Sequence, residues 1–329
     1  MTVLRASLQE IYAPIESDLR DFSAKFEEAL VSKDPLIQGI HQHLLKMTGK
    51  FLRPALVILS WRLEGGARRE DVLRLAAAIE LIHTATLIHD DIIDNSELRR
   101  NQPSVYSKWG REISIVSGDY LYAKAFLNLA ALKDIWINQA FAACAEVICE
   151  GEMKQIERRN FFMMGEEEYL RIIHQKTAAL FQASCMGGSY LSGASRENIQ
   201  RLGDYGLKLG MAFQIVDDCL DVVGETENLG KTVGLDLYKN DVTLPFLYLF
   251  QSLKAADQAE MERQMKSGGG RELFEKIKGL ALERGCVDRA MDKARGYIQG
   301  ALLDLKAVRD CDGKESLVLL SHHCLERAR

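Results

Sequence analysis

The feature that most limits how this chain can fold is a series of long, apolar segments with helical periodicity. The segment 71–94 is rich in Ala and Leu and contains neither Gly nor Pro, as a long helix requires. Short alternating β-branched runs bounded by turn residues, the usual signal for strands, are nearly absent. The sequence therefore predicts an all-α protein with a dozen or so helices. The longest predicted helical segments are 71–94, 112–132, 134–157, 166–191 and 196–223.

The irregular stretches between these segments are short. The clearest are 95–111, 224–241 and the triple glycine at 268–270. None of them has the length or composition of an interdomain linker. We therefore expect residues 1–329 to form a single domain.

Composition argues against several classes of function. The net charge of −5 disfavours a nucleic-acid partner, which would need a concentrated basic surface. The seven cysteines are scattered and form no CxxC pair, so neither a disulfide framework nor a zinc site is predicted. No secretory signal is visible, and no uncharged apolar run is long enough for a transmembrane segment. We therefore expect a cytoplasmic protein.

An aspartate motif of the form DDxxD occurs twice, each time within an apolar helical segment. On a helix the first and fifth positions of this motif lie on one face, so each cluster is predicted to present two or three carboxylates to one point. Grouped like charges repel and lose hydration there, and a divalent cation relieves both costs. Carboxylate oxygens suit Mg²⁺, which keeps open positions for substrate phosphates. The two clusters are Asp90-Asp91-Ile92-Ile93-Asp94 and Asp217-Asp218-Cys219-Leu220-Asp221.

Two other interpretations of the clusters stay open at this point. Each cluster could be an acidic helix end that faces water, or paired carboxylates could act as general acid and base, as in glycoside hydrolysis. Basic residues near both clusters favour a phosphate substrate, and their arrangement suits two diphosphates. These residues are Lys50 and Arg53 at the start of an apolar helix, Arg99 and Arg100 after the first cluster, Lys176 with Thr177, and Lys231 after the second cluster.

The chain resembles the trans-isoprenyl diphosphate synthases (the polyprenyl synthetase family) over essentially its whole length, and most of all the long-chain members. The resemblance implies a prenyltransferase with an all-α barrel of long antiparallel helices around a central cavity, usually found as a homodimer. The motifs that carry it also occur in the family's order and spacing. They are GKFLRP at 49–54, ELIHTATLIHDDIIDNSELRRNQPS at 80–104, QKTAALF at 175–181, GMAFQIVDDCLD at 210–221 and LGKTVGLDL at 229–237.

The resemblance also implies roles for individual residues. The residues that would surround about three Mg²⁺ ions on the allylic diphosphate are Asp90, Asp91, Asp94, Asp217, Asp218 and Asp221. Those that would hold the same diphosphate are Arg99, Lys176, Thr177, Gln214 and Lys231. Those that would hold the diphosphate of isopentenyl diphosphate are Lys50, Arg53, His83 and Arg100.

Three residues depart from the family pattern. Phe51 stands where the family often has a basic residue, and Leu235 and Asp241 replace lysines that are common after the second cluster. These changes put in doubt whether that loop binds diphosphate in the usual way.

The implied reaction is Mg²⁺-dependent head-to-tail condensation of isopentenyl diphosphate with an allylic diphosphate, farnesyl or geranylgeranyl. The product would grow back along the helix that precedes Asp90, where Ala85 and Thr86 are both small. Family members that stop at fifteen or twenty carbons usually carry an aromatic residue at one of these positions. We therefore expect an all-trans product of about C30 to C45, since bulk is what limits a cavity's depth. Residues that could close the tunnel deeper down are Tyr122, Phe126, Met153 and Ile156.

Four alternatives remain for the function. The enzyme could be a short-chain synthase, or a class I terpene cyclase, which would not need the second set of cations. A regulatory subunit of a heteromeric synthase typically lacks the aspartates that are intact here. A plain metal-binding helical bundle would leave the cations unexplained.

Overall fold

The computed structural model describes residues 6–159, 164–223, 241–267 and 271–327. Within them the secondary structure is almost entirely helical, so the all-α prediction is confirmed. The first ten helices are α1 (Leu8–Tyr12), α2 (Glu16–Ala29), α3 (Pro35–Lys46), α4 (Leu52–Arg62), α5 (Arg69–Ile93), α6 (Val105–Ala131), α7 (Ile135–Arg158), α8 (Glu166–Ile173), α9 (Ala179–Leu191) and α10 (Arg196–Val223). The last five are α11 (Leu244–Ser252), α12 (Ala255–Lys266), α13 (Arg271–Glu283), α14 (Cys286–Leu305) and α15 (Asp312–Glu326).

Three short elements interrupt this pattern. A 3₁₀ turn covers Ala13–Ile15, and a π-helical turn covers His174–Ala178 between α8 and α9. A two-stranded antiparallel hairpin, β1 (Leu98–Arg99) and β2 (Gln102–Pro103), follows the first aspartate cluster. These elements lie beside motif residues, so they shape the site rather than the core.

Side-chain caps mark the N-terminal ends of two of the long helices. The Asp134 carboxylate accepts a hydrogen bond from the backbone N–H of Ile137 at the start of α7. The Ser104 hydroxyl does the same for Ser107 at the start of α6, as N-cap side chains typically do. Helix α6 therefore begins seven residues before its predicted start at 112. It breaks only at Gly110, whose φ of 81° is left-handed, which explains why the sequence pattern missed its first turns.

Helix α5 is the central element of the fold and carries the first aspartate cluster at its end. It packs against α2, α4 and α6, while α10, which carries the second cluster, packs against α9 and α14. By length and composition, α5 is the one described helix that could cross a membrane, but 67% of its most apolar window is buried inside the fold. That burial is typical of a core helix. Each of the two helices is held by its own neighbours, and the clusters that they carry face one cavity.

Candidate active site

One large cavity lies among the helices and contains most of the predicted site residues. Its volume is about 1080 Å³, at the upper end of the range of ligand pockets, which is about 300–1,000 Å³. Side chains of α1, α4 to α8, α10 and α15 line it, together with the π-helical turn and residues 241–243. The residues of the two clusters that line it are Asp90, Asp94, Asp217, Asp218 and Asp221.

The first cluster does not present all three carboxylates to the cavity. Asp90 and Asp94 line it, whereas Asp91 is only 3% exposed and faces away from it. The Asp91 carboxylate accepts two hydrogen bonds from Arg99, at 3.0 and 2.6 Å. The expectation that Asp91 faces the same point as its neighbours is therefore corrected. Its position in the motif turns it about 100° from Asp90, and there it holds Arg99 in place.

Charge is concentrated around Asp90. The Lys176 ammonium lies 3.8 Å from an Asp90 oxygen and 2.5 Å from Glu152. Burial raises the pKa of Asp90 to about 6; Lys176 opposes the rise, and the nearby carboxylates Glu152 and Asp94 add to it. A carboxylate that resists ionisation beside other carboxylates is typical of a site completed by a cation.

Lys176 reaches the cavity because of the π-helical turn at His174–Ala178. Such turns shift the register of a helix and occur frequently at functional sites. Gly151 of α7 makes room for the turn, because a Cβ atom there would lie 2.7 Å from the backbone nitrogen of Lys176. The cation is thus positioned by backbone geometry that no sequence pattern indicated.

Asp218 of the second cluster is held by hydrogen bonds from two side chains. The Asp218 carboxylate accepts from the Tyr169 hydroxyl at 2.6 Å and from the Gln214 amide at 2.8 Å. Thr177 in turn donates to the Gln214 carbonyl oxygen at 2.8 Å. The structure thus brings the predicted residues Thr177 and Gln214 together with Asp218, as the motif order implied. Lys231 lies outside the described residues, and so does Leu235.

A further group of cations, which includes the largely buried Arg53, also lines the cavity. Arg53 donates to the His83 imidazole at 3.1 Å and its guanidinium stacks over the Phe181 ring at 4.8 Å. Burial, followed by the nearby arginines, holds the pKa of His83 well below its usual value, so His83 is neutral. Lys50 and Arg100 also line the cavity. All four residues predicted for a second diphosphate are therefore adjacent to one cavity.

Glu80 is the main residue of this region that sequence reasoning missed. It is 6% exposed and lines the cavity, and its charge acts on those of Arg53 and Arg100. Burial raises the pKa of Glu80 to about 7, although both arginines lower it. A signal was available, because Glu80 is a lone carboxylate in the apolar run AAAIELIHT. Buried carboxylates of this kind are usually paired with cations.

Replacing Glu80 with Gln is expected to reduce the pH dependence of stability of the metal-free protein. The folded pKa of Glu80 is raised from 4.5 to about 7, so the folded state holds a proton that the unfolded state releases in this window. The contribution of Glu80 to the free energy of unfolding is therefore fully present below pH 4.5. It is lost as the pH rises through 7, and the loss is on the order of 3 kcal/mol. Urea unfolding at pH 5 and pH 8 measures the difference.

The matched control is Glu27→Gln, which removes an exposed carboxylate of α2. We expect Glu27→Gln to keep the wild-type difference between the two pH values. A Glu80→Gln variant with the same difference as wild type would show that Glu80 does not titrate in this window.

The residues proposed to limit product length divide into two groups. Thr86 lines the cavity, but Ala85 is 0% exposed and packs in the core. Tyr122 and Phe126 line the cavity with stacked rings, 6.5 Å apart at their centroids. The expectation for Ala85 is thus corrected, because successive helical residues point about 100° apart. Met153 and Ile156 are exposed and do not line the cavity within the described residues.

Other residues in or next to the site were also missed by sequence reasoning. Arg327, near the end of the chain, donates to Asp217 at 3.2 Å, and Tyr12 of α1 donates to the Lys50 carbonyl at 3.1 Å. Glu152 contacts Lys176, and Arg159 contacts Asp94. None of the four lies in a DDxxD motif, and their roles depend on contacts between distant segments.

The donor set fits a hard divalent cation that is shared with a substrate. Carboxylate oxygens from α5 and α10 face one cavity, and the raised pKa of Asp90 reflects crowded, partly dehydrated acid groups. Within the described ranges, no group of three or more His, Cys, Asp or Glu side chains could hold a metal ion by itself. Mg²⁺ typically binds through one or two carboxylates, waters and substrate phosphates, so this spread arrangement suits a cation that a diphosphate helps to hold.

This fold and this site define a class of proteins. The sequence profile of the Polyprenyl synthetase family matches residues 34–278, which contain both aspartate clusters and nearly all of the cavity cations. The chain belongs to the polyprenyl synthetase family, whose members are prenyltransferases.

Individual relatives cover almost the entire chain. Octaprenyl diphosphate synthase of Escherichia coli (strain K12) is 33% identical over 98% of this chain and 100% of its own. A short chain isoprenyl diphosphate synthase of Methanothermobacter thermautotrophicus is 37% identical over 94% of this chain and 97% of its own. The crystal structure of a polyprenyl synthase from Caulobacter crescentus, complexed with calcium and isoprenyl diphosphate, matches with a TM-score of 0.93 at 33% identity, over 99% of this chain and 98% of its own.

Proposed function

We propose that this protein condenses isopentenyl diphosphate head to tail with an allylic diphosphate and releases an all-trans polyprenyl diphosphate. The observation that carries this proposal is the pairing of two carboxylate clusters with two separate groups of cations on one cavity. In the first group, Lys176 and Arg99 contact aspartates of the first cluster. Lys50, Arg53 and Arg100 form the second group and line the same cavity. Each of two diphosphates could therefore have its own cationic partners. A cyclase or a plain metal-binding bundle would need only the first group.

The allylic diphosphate is assigned to the aspartate end of the cavity. We propose that Asp90, Asp94, Asp217, Asp218 and Asp221 hold it through about three Mg²⁺ ions, the arrangement in which Mg²⁺ is shared between carboxylates and phosphates. Asp91 is assigned a supporting role, since it holds Arg99. The protein groups proposed to contact this diphosphate directly are Arg99, Lys176, Thr177, Gln214 and Lys231.

Isopentenyl diphosphate is assigned to the second group of cations. We propose that Lys50, Arg53 and Arg100 bind its diphosphate. The neutral His83 ring holds the Arg53 guanidinium at 3.1 Å, and buried Glu80 balances part of the positive charge. Three cations suit the negative charge of a dianionic or trianionic headgroup. Their hydrogen bonds to it are charge-assisted, and such bonds are about twice as strong as neutral ones.

The chemistry follows from electrostatics and from the exclusion of water. When bound, Mg²⁺ would supply Lewis-acid stabilisation of the departing diphosphate. Lys176 and Arg99 add fixed positive charge at the same place. Apolar side chains such as Leu87 and Ile148, which line the cavity, keep water from an allylic carbocation until the isopentenyl double bond attacks it. The isopentenyl double bond is itself the nucleophile, and the departing diphosphate accepts the proton that is then lost, so neither a side-chain nucleophile nor a side-chain base is needed.

A product of about C30 to C45 is favoured by a cavity of about 1080 Å³, at the upper end of the range of ligand pockets. Thr86, one helical turn before Asp90, lines the cavity and is small, whereas short-chain members usually carry an aromatic residue at this position or the one before it. A short-chain product is the alternative, and relatives with both kinds of name are similar to this chain.

The assembly, domain organisation and location are also proposals. We propose a homodimer, because α6 and α7 expose several large apolar side chains, a pattern typical of interaction surfaces. They are Val116, Leu127, Ile135 and Met153. We propose that residues 1–329 are one domain, since a single buried core extends from Ile11 to Cys324. The cytoplasm is the proposed location, and all seven cysteines are free thiols in the structure.

The decisive test is incubation with isopentenyl diphosphate, farnesyl diphosphate and Mg²⁺, followed by mass spectrometry of the dephosphorylated products. We expect a ladder that ends at one length beyond C20. A reaction without Mg²⁺ and with EDTA is the control and should leave farnesyl diphosphate unchanged. Product that ends at C20 would support the short-chain alternative. Lack of elongation with this and shorter primers would contradict the proposed function.

A further inference from the structure

A cation at the end of α7 is bonded to two carboxylates of the cavity wall. The Arg159 guanidinium donates to Asp94 of the first cluster at 2.6 Å and to Asp241 at 3.1 Å. Gln155, one turn earlier on α7, donates to the other Asp241 oxygen at 3.2 Å. Two segments far apart in sequence, the end of α5 and the residues before α11, are thus joined through one helix end.

Arg159 lies behind the site rather than in it. Asp94, Asp241 and Gln155 line the cavity, whereas Arg159 is absent from the described residues that do so. The three charged side chains are largely buried, with exposures of 20% for Arg159, 19% for Asp94 and 9% for Asp241. A buried ion pair of this kind restrains the positions of its side chains more than a surface ion pair does. Any effect of Arg159 on substrate must therefore act through the carboxylates that it holds.

Three other carboxylates of the clusters are held in comparable ways. Asp91 accepts from Arg99, Asp218 accepts from Tyr169, and Asp217 accepts from Arg327. Asp94 is the C-terminal cap of α5: its backbone N–H still bonds to the Asp90 carbonyl, but no further helical turn follows to support its side chain. An anchored guanidinium therefore has most to contribute there, because its planar fork can bond two carboxylates at once.

We propose that Arg159, anchored by Asp241, is a positioning residue that orients the Asp94 carboxylate for the cation and diphosphate at the first cluster. This inference rests on the proposed function. Groups that orient metal-binding side chains commonly change metal affinity or activity by about 10- to 100-fold when they are replaced. Arg159 lies outside every motif named above. In this arrangement Asp241 has the function of anchoring Arg159.

The test compares Arg159→Gln and Arg159→Lys with Lys154→Ala. Lys154 lies on the same helix and forms an ion pair with Glu157, away from the cavity. Binding of Mn²⁺ in the presence of inorganic diphosphate is followed by electron paramagnetic resonance, so this readout needs no turnover. Circular dichroism confirms that each variant is folded. We expect Arg159→Gln to weaken Mn²⁺ binding by at least about 10-fold, Arg159→Lys to weaken it less, and Lys154→Ala to bind as wild type.

Two further measurements separate positioning from a general structural role. The KM for isopentenyl diphosphate should stay unchanged in Arg159→Gln while kcat falls, because the second group of cations is untouched. The double variant Arg159→Gln with Asp241→Asn should be no worse than Arg159→Gln alone, since the anchor acts only through Arg159.

The outcomes that overturn the inference are distinct. Mn²⁺ binding by Arg159→Gln equal to that of Lys154→Ala would exclude positioning, and tighter binding would make Arg159 a competitor of the metal. Additive effects in the double variant would show that Asp241 acts independently. If the wild-type protein bound no Mn²⁺ with diphosphate and made no product, the proposed function itself would fail.

Discussion

Turnover is expected to fall by about 10³-fold when Asp90 is replaced by asparagine, because the change removes a carboxylate that would share the metal with the departing diphosphate. Asparagine keeps the shape of the side chain, so the fold should be retained. Asp90 lies among Lys176, Glu152 and Asp94, where loss of one negative charge also leaves Lys176 with a weaker partner. Steady-state rates at saturating Mg²⁺ measure the effect, and circular dichroism checks the fold.

Asp71→Asn is the matched control. Asp71 lies in the first turn of the same helix, α5, and pairs with Arg68 at the protein surface. We expect wild-type turnover from it, since surface ion pairs contribute little. Activity of Asp90→Asn within a few-fold of this control would remove Asp90 from the proposed metal site and leave the cluster without its central ligand.

Thr86→Phe is expected to shorten the product to about C15 to C20. Thr86 lines the cavity one turn before Asp90, so a phenyl ring there would occupy the space into which the chain grows, and packed interiors leave no room for both. With a primer shorter than farnesyl diphosphate, the first condensation takes place before the chain reaches this depth. We therefore expect the rate of the first condensation to change little, and mass spectrometry of the dephosphorylated products measures the end point.

Ala85→Phe is the comparison that separates the effect of where a side chain points from the effect of its size. Ala85 is fully buried in the core, and extra methylenes in a packed core typically cost about 1–3 kcal/mol. We expect this variant to lose thermal stability while the fraction that folds still makes long product. If Ala85→Phe shortened the product and Thr86→Phe did not, the position of the chain relative to α5 would be wrong.

A large part of this architecture was predictable because it depends on local sequence. Helical periodicity placed 166–191 and 196–223 within the helices that are found there. The DDxxD spacing identified both carboxylate clusters, since one helical turn brings the first and fifth positions together. The start of α6 was missed because a cap at Ser104 and a left-handed Gly110 override the apolar pattern that the sequence presents.

The parts that local sequence could not predict are contacts between distant segments. Ala85 and Thr86 are neighbours of similar size, and only the packing of α5 decides which one lines the cavity. Arg159 looks like a surface charge at a helix end until the fold brings Asp94 and Asp241 to it. The turn that directs Lys176 into the cavity depends on Gly151 of another helix.

The sequence by itself thus determined the helices, the two acidic clusters and the class of substrate, because periodicity, motif spacing and charge are properties of short segments. The tertiary structure alone decided which carboxylates reach the cavity, which cations hold them and which small residue faces the growing product. The physical reason is that burial and ion pairing depend on distances between helices, and those distances exist only once the chain has folded.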